Sequence, residues 1–188
     1  MINRHDIINR LRELSQVDNN IQLFTTIDIN KNKNDKISMI KELLNEKYKR
    51  EGIIINDEIF RGSYGWSGES GHMIASPDEG IECGCKNKGC LMSYCSGAMI
   101  VKIIINRINN NEHTVMIELA NGKENISAVH IKQAYEMEDK MAIEAVEQMA
   151  KYLGVWVYNL YSTLNINCFV FGGGLVNFGD TLFKRVRE

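Results

Sequence analysis

The chain is 188 residues long, 44% hydrophobic and 24% charged, with a formal net charge of −2. That length and apolar content suffice for a packed core, as one domain or two small ones. Its lysines are scattered among asparagines and isoleucines, which argues against the clustered basic face of a nucleic-acid binder. The opening residues Met1-Ile2-Asn3-Arg4-His5-Asp6 carry no apolar signal-peptide segment. The longest apolar stretches, such as Met99 to Ile105, are broken by Lys102 and are too short to cross a bilayer. A cytoplasmic protein without membrane partners is the expectation.

In chain order, Ile7, Ile8, Leu11 and Leu14 share one helical face, predicting a helix over residues 5–14. Residues 21–29 are rich in β-branched side chains and read as a strand. A polar, turn-like run follows over residues 30–35. Ile37, Ile40, Leu44 and Tyr48 then predict a second helix over 37–48. From Gly52 to Phe60, two apolar runs flank Asn56-Asp57, the pattern of a β-hairpin. Residues 61–97 hold most of the glycine and show little periodicity. A loop of that length inside a compact domain is normally functional or held by something.

Beyond Ser127 the pattern is helical. Ser127 is a candidate cap for a helix over 129–137, and Asp139 for a long helix to about Leu164. Along the latter, Met141, Ala145, Met149, Leu153, Val157 and Tyr161 form the expected buried stripe. Cys168-Phe-Val-Phe-Gly-Gly-Gly174 reads as a buried strand ending in a glycine turn, and residues 180–187 begin one more helix. Strands alternating with helices indicate an α/β protein.

Three of the five cysteines fall within eight residues, as Cys83-Gly-Cys85-Lys-Asn-Lys-Gly-Cys90. In a chain with no export signal this spacing favours metal over disulfides. Buried structural thiols are the alternative, but Lys86 and Lys88 fit a dry core poorly. Zinc takes four soft or borderline ligands in a tetrahedron, commonly three Cys and one His. Gly84 and Gly89 are expected to let the backbone fold tightly enough for the sulfurs to converge. The nearest histidine, His72, is the candidate fourth ligand, with ten residues closed into a loop between it and Cys83. Three thiolates and an imidazole leave no open position, so the expected role is structural. Cys95 and Cys168 read as small core residues, His113 as solvated, and His130 as an ordinary helix residue.

Gly68-Glu69-Ser70-Gly71-His72, the cysteine cluster and Ser96-Gly97 together resemble the signature of the ROK family of bacterial repressors, sugar kinases and relatives. The resemblance runs from the hairpin and Arg61-Gly62 to Gly172-Gly173-Gly174 and Gly179-Asp180, over about residues 52–188. It implies an α/β fold of the actin/hexokinase-like (ribonuclease H-like) ATPase type. What is present is mainly the C-terminal lobe, residues 51–188, with an inserted zinc loop at 69–97. Residues 1–50 match weakly, as a possible remnant of the region around the catalytic aspartate, and the family pattern appears truncated at both ends. By the same resemblance His72, Cys83, Cys85 and Cys90 hold a structural Zn2+. Glu69 and His72 touch the hydroxyls of a hexose or N-acetylhexosamine. Gly172, Gly173 and Gly174 lie near ATP, unless they form a simple strand-to-helix turn. Homo-oligomers are also expected from the family.

The chain departs from the family pattern where phosphate is handled. It contains no D-x-G-x-T hairpin, and Lys47-Tyr-Lys-Arg-Glu51 stands where a G-T-G-x-G loop is expected. Met92 replaces an acidic sugar ligand, and Lys86 replaces a usual glycine. The catalytic base implied by the resemblance is Asp28, with Asp35 the other candidate and an ordinary turn aspartate the alternative for either. In-line transfer from ATP with Mg2+ depends on positioned phosphates, so phosphorylation is expected to be weak or absent. The other functions to weigh are a non-catalytic sugar-sensing regulator and an inactive gene remnant. Residues 3–14 are not followed by a recognition helix in register, so DNA binding is not expected.

Overall fold

The computed structural model describes residues 24–27, 51–55, 58–78, 80–166 and 168–188. The helices expected over 5–14 and 37–48 lie outside these residues, as do Asp28 and Asp35. The chain divides into two compact units, Met1–Ser70 with Val157–Val176, and Gly71–Trp156 with Asn177–Glu188.

The first unit contains a four-stranded sheet of order β3-β2-β1-β4. Its strands are β1 (Phe24–Ile27), β2 (Glu51–Ile55), β3 (Glu58–Ile59) and β4 (Phe169–Phe171). β1 pairs parallel with β2, from Phe24 opposite Glu51 to Ile27 opposite Ile54, and antiparallel with β4. The expected hairpin is present: Ile55 faces Glu58 across the two-residue Asn56-Asp57 connection, and Ile54 faces Ile59. Successive strand residues point to opposite faces. Ile53 and Ile54 are nevertheless both buried, so both faces of the sheet are covered at β2. Leu160, Ile166, Val170 and Leu175 complete the described core of this unit.

The second unit is helical beyond its opening loop. Its helices are α1 (Met92–Cys95), α2 (Gly97–Asn109), α3 (Met116–Leu119), α4 (Ala128–Glu136), the first part of α5 (Lys140–Leu164) and α6 (Asp180–Arg187). α2, like the short α1 and α3, is left unassigned by the sequence reading. Its Ile- and Val-rich run favours strands by propensity, yet Ile100 and Ile104, one turn apart, are both fully buried. Packing overrides propensity here. A bidentate Arg107–Glu112 pair closes the C-terminal end of α2, and Arg107 also reaches Glu144 on α5 at 2.8 Å. These partners, the Glu112 hydrogen bond first, hold the Arg107 guanidinium above its ordinary pKa.

α5 appears where expected, but its buried stripe differs. Met141, Ala145, Met149 and Leu153 are buried, whereas Tyr161 is 53% exposed. Steps of four residues turn through about 40° beyond one full turn. After five such steps a side chain has rotated about 200° from Met141 and faces away. Val146, Ala150, Trp156 and Leu160 carry the buried face instead. Ser127 caps α4 through an interaction with His130, whose Nδ1 lies 3.2 Å from the Ser127 backbone N–H that donates to it. His130 therefore has a capping role that the sequence reading did not assign.

Asp139 is the polar anchor of α5. Its Oδ1 accepts from the Ala142 N–H at 2.9 Å, and its Oδ2 accepts from the Val115 N–H, just before α3, at 3.0 Å. One carboxylate thus caps a helix and docks the segment before it. Asp139→Ala removes both acceptors and is expected to lower the unfolding free energy by about 2 kcal/mol. Asp139→Asn should retain much of the cap. Urea unfolding of both variants tests this, and equal losses for the two would overturn it.

Candidate metal centre

His72, Cys83, Cys85 and Cys90 come together, with their ligand atoms all within 4.8 Å of one another. The Cys83 Sγ lies 3.5 Å from His72 Nδ1, and the Cys85 and Cys90 sulfurs are 3.6 Å apart. Around a tetrahedral zinc, the usual bond lengths give S···S edges of about 3.8 Å and S···N edges of about 3.6 Å. The donor set suits zinc, and these two separations lie near those edges.

The local backbone explains the convergence. His72 ends the short 3-10 turn Ser70–His72. The chain then pairs with its own return: Ile74 bridges Cys90, and Glu82 bridges Lys88. The Leu91 N–H donates to the Met73 carbonyl, and the Ala75 N–H to that of Gly89. At the tip, the Cys83 N–H donates to Asn87, and the Lys86 N–H donates back to Cys83, both at 2.8 Å. This turn places Cys83 and Cys85 on the same side as Cys90.

Of the two glycines expected to permit the fold, Gly89 is required. It has φ of +78°, and a Cβ there would lie 1.8 Å from the Ser76 carbonyl oxygen. Gly84 has open space beside it, so crowding does not explain a glycine at that position. The tight approach falls instead at Gly80, whose added Cβ would meet the Gly89 backbone at 2.3 Å. Lys86 keeps a left-handed φ of +70°. A side chain there costs about 1–2 kcal/mol.

Cys83 and Cys90 are buried, whereas Cys85 is exposed at the tip. Burial, reinforced by the neighbouring Cys85 and Cys83, pushes the Cys90 thiol up to about 12. Cys85 shifts the other way, chiefly because the Asn87 backbone N–H hydrogen-bonds its thiolate. Zinc would bind both as thiolates and so must displace the Cys90 proton at neutral pH.

The loop is tied to the helices by contacts that spacing alone does not reveal. The Ile81 N–H donates to the Tyr94 hydroxyl at 3.0 Å. The Tyr94 ring stacks on Tyr152 of α5, centroids 4.2 Å apart and 14° from parallel. Gln148, also on α5, donates to the Tyr94 carbonyl at 3.1 Å. Tyr94 and Tyr152 stand far apart in sequence, so nothing local identifies them as partners.

The remaining candidates are dispersed along the chain. Glu69 is exposed, one residue before the turn that ends on His72. Gly172 directly follows β4, and Gly173 and Gly174 open the 3-10 turn Gly173–Phe178. A Cβ on Gly174 would meet nothing within 4 Å. Cys95 is buried, and its thiol donates to the Leu91 carbonyl, as a core residue would. His113 is exposed. No helix among the described residues is long and apolar enough to cross a membrane.

A mixed α/β unit and a helical unit that opens on a Cys₃His cluster define an α/β protein with a candidate metal knuckle. The family model described as ROK family matches residues 51–188, and this chain belongs to that family. It is 31% identical to the glucokinase of Halalkalibacterium halodurans over 137 residues, covering 73% of this chain and 42% of that protein. The xylose repressor of Caldicellulosiruptor bescii is 28% identical over 137 residues, which are 73% of this chain and 34% of that one. Among solved structures, a ROK family glucokinase from Streptomyces griseus, in complex with glucose and AMPPNP, aligns with a TM-score of 0.63 and 30% identity. That alignment covers 72% of this chain and 44% of the glucokinase, and it agrees with the actin/hexokinase-like fold. The chain thus spans less than half the length of these relatives.

Metal analysis of the purified protein is expected to return about one zinc per chain. Cys85→Ser should lose it to a chelator that the parent protein withstands, and full retention would remove Cys85 from the ligand set. Because metal displaces protons, apparent affinity should fall as pH drops from about 8 to about 6. Lys86→Gly relieves the left-handed strain and should stabilise the protein by up to about 1 kcal/mol, read as a higher thermal midpoint.

Proposed function

We propose that this chain is a sugar-binding ROK protein in which a structural zinc, held by His72, Cys83, Cys85 and Cys90, fixes the loop that meets a hexose or N-acetylhexosamine. The observation that carries this reading is the cluster of three thiols and one imidazole, one residue pair downstream of Glu69. In this reading zinc supplies no chemistry beyond holding its ligands. With Nδ1 turned to the metal, His72 keeps Nε2 on the opposite edge of its ring for a sugar hydroxyl. Glu69, ionised, accepts hydrogen bonds from neighbouring hydroxyls.

ATP would approach the backbone at Gly172–Gly174, where Gly174 leaves open space. Asp28 follows β1 and would take the proton from the attacking hydroxyl. Phosphoryl transfer needs the γ-phosphate, Mg2+ and nucleophile in line. These 188 residues lack both phosphate-binding sequences expected of family kinases, so we assign the chain sugar binding with little or no turnover. The second reading, a sugar-responsive regulator, draws on the xylose repressor, which is matched as extensively as the glucokinase.

Calorimetry on the zinc-loaded chain should show saturable D-glucose binding that Glu69→Gln and zinc removal both abolish. Coupled ADP release across a hexose panel should stay near background. Release that Asp28→Asn eliminates would establish a working kinase instead. Preference for D-xylose over every hexose would favour the regulator, and failure to bind any sugar would overturn the reading.

A further inference from the structure

The segment between the hairpin and Glu69 is not explained by the metal centre. Residues 60–66 are all exposed, and they include three aromatic side chains. Phe60 is 46% exposed, Tyr64 88% and Trp66 78%. Tryptophan and tyrosine on a loop tip forfeit the burial that such large side chains otherwise gain. Exposure of this kind marks a binding surface when the side chains are held in place.

The base of this loop is fastened. The Phe60 N–H donates to the Ile53 carbonyl of β2 at 2.8 Å, continuing the hairpin. The Ser67 N–H donates to the Arg61 carbonyl at 3.2 Å, and the Ser67 hydroxyl donates to the Phe60 carbonyl. Residues 62–66 thus form a tip closed at its neck, with Tyr64 and Trp66 on either side of Gly65. Gly65 adopts a left-handed φ of +75°, which a β-carbon would strain.

The polar groups beside the aromatics indicate the ligand. Arg61, Ser63, Ser67 and Glu69 alternate with Tyr64 and Trp66 along one short stretch. A stable protein partner would bury a wider area than this short tip offers. A pyranose presents both demands at once. Its C–H face is apolar and weakly positive and suits the negative face of an aromatic ring, while its hydroxyls need donors and acceptors.

We propose that Trp66, supported by Tyr64, is a stacking platform for the pyranose ring of the sugar whose hydroxyls Glu69 meets. The assignment rests on the sugar-binding reading above and adds a specificity-determining residue to it. The ring face selects sugars by their run of C–H bonds, and the carboxylate selects them by hydroxyl position.

The two tryptophans make the test direct. Trp156 is 3% exposed, so the solvent-sensitive part of the emission belongs to Trp66. Titrating the zinc-loaded chain with D-glucose should shift the emission to shorter wavelength, saturably and with the calorimetric affinity. Trp66→Phe should silence the shift while binding persists. Trp66→Ala should weaken glucose about tenfold, the size that loss of an aromatic stacking face reaches. Zinc content and thermal midpoint should be unchanged in both variants. Glucose binding with a silent Trp66 and an unaltered Trp66→Ala affinity would overturn the platform and leave the sugar-binding reading standing. Absence of any glucose binding by the loaded parent protein would overturn both. An emission shift that follows protein concentration instead of glucose would assign the tip to contact between copies of the chain.

Discussion

Four ligand atoms within 4.8 Å of one another, three of them sulfur, set the terms for residues 71–91. Little apolar surface is buried along this stretch: Cys83, Cys90 and Leu91 are its buried hydrophobic residues. Two isolated bridges and a handful of turn hydrogen bonds hold the backbone. Such a segment would not hold its shape on burial alone. Burial first, and then the crowded Cys85 and Cys83 thiols beside it, push the Cys90 thiol up, so its ionisation is opposed on both counts. A divalent cation bound there would replace mutual repulsion with four bonds and close the loop between His72 and Cys83. Metal binding would thus be coupled to the conformation of this loop.

That order is passed on through one aromatic contact. Tyr94 accepts from the loop at Ile81 through its hydroxyl and stacks on Tyr152 through its ring. Its backbone carbonyl meanwhile accepts from Gln148. Burial, with Tyr94 alongside, also raises the Tyr152 phenol and keeps it neutral. Helix α5 is therefore the surface on which the metal loop rests, and Asp139 fixes its N-terminal end. A polar cap, an aromatic stack and a metal knuckle follow one another within a single unit, each constraining a different degree of freedom.

Much of this was legible in the sequence because its signals were local. Three cysteines in eight residues with a nearby histidine determine a ligand set, and the Asn56-Asp57 pair marks a hairpin. Ser127 and Asp139 mark helix starts by chemistry that acts over three residues. What was not legible depends on distance. Helix α2 is decided by which isoleucines find a neighbour, and neither its composition nor its propensity records that. Tyr161 was misplaced because a repeat of four was read as if it were a repeat of 3.6. Gly80 is needed because the Gly89 backbone and the Ser76 carbonyl oxygen lie against it, contacts that exist only after the loop has folded.

Lys86 carries the same reasoning into function. The family pattern has a glycine there, and this chain keeps the left-handed backbone while accepting a side chain. The strain falls in the tip between Cys85 and Cys90, where metal bonds can hold it. On the sugar-binding reading proposed above, gripping a sugar would call on a carboxylate, an imidazole and a ring face from one stretch of chain. Transferring a phosphoryl group calls for several distant segments to align at once. Binding therefore places local requirements on a chain, whereas transfer places distant ones.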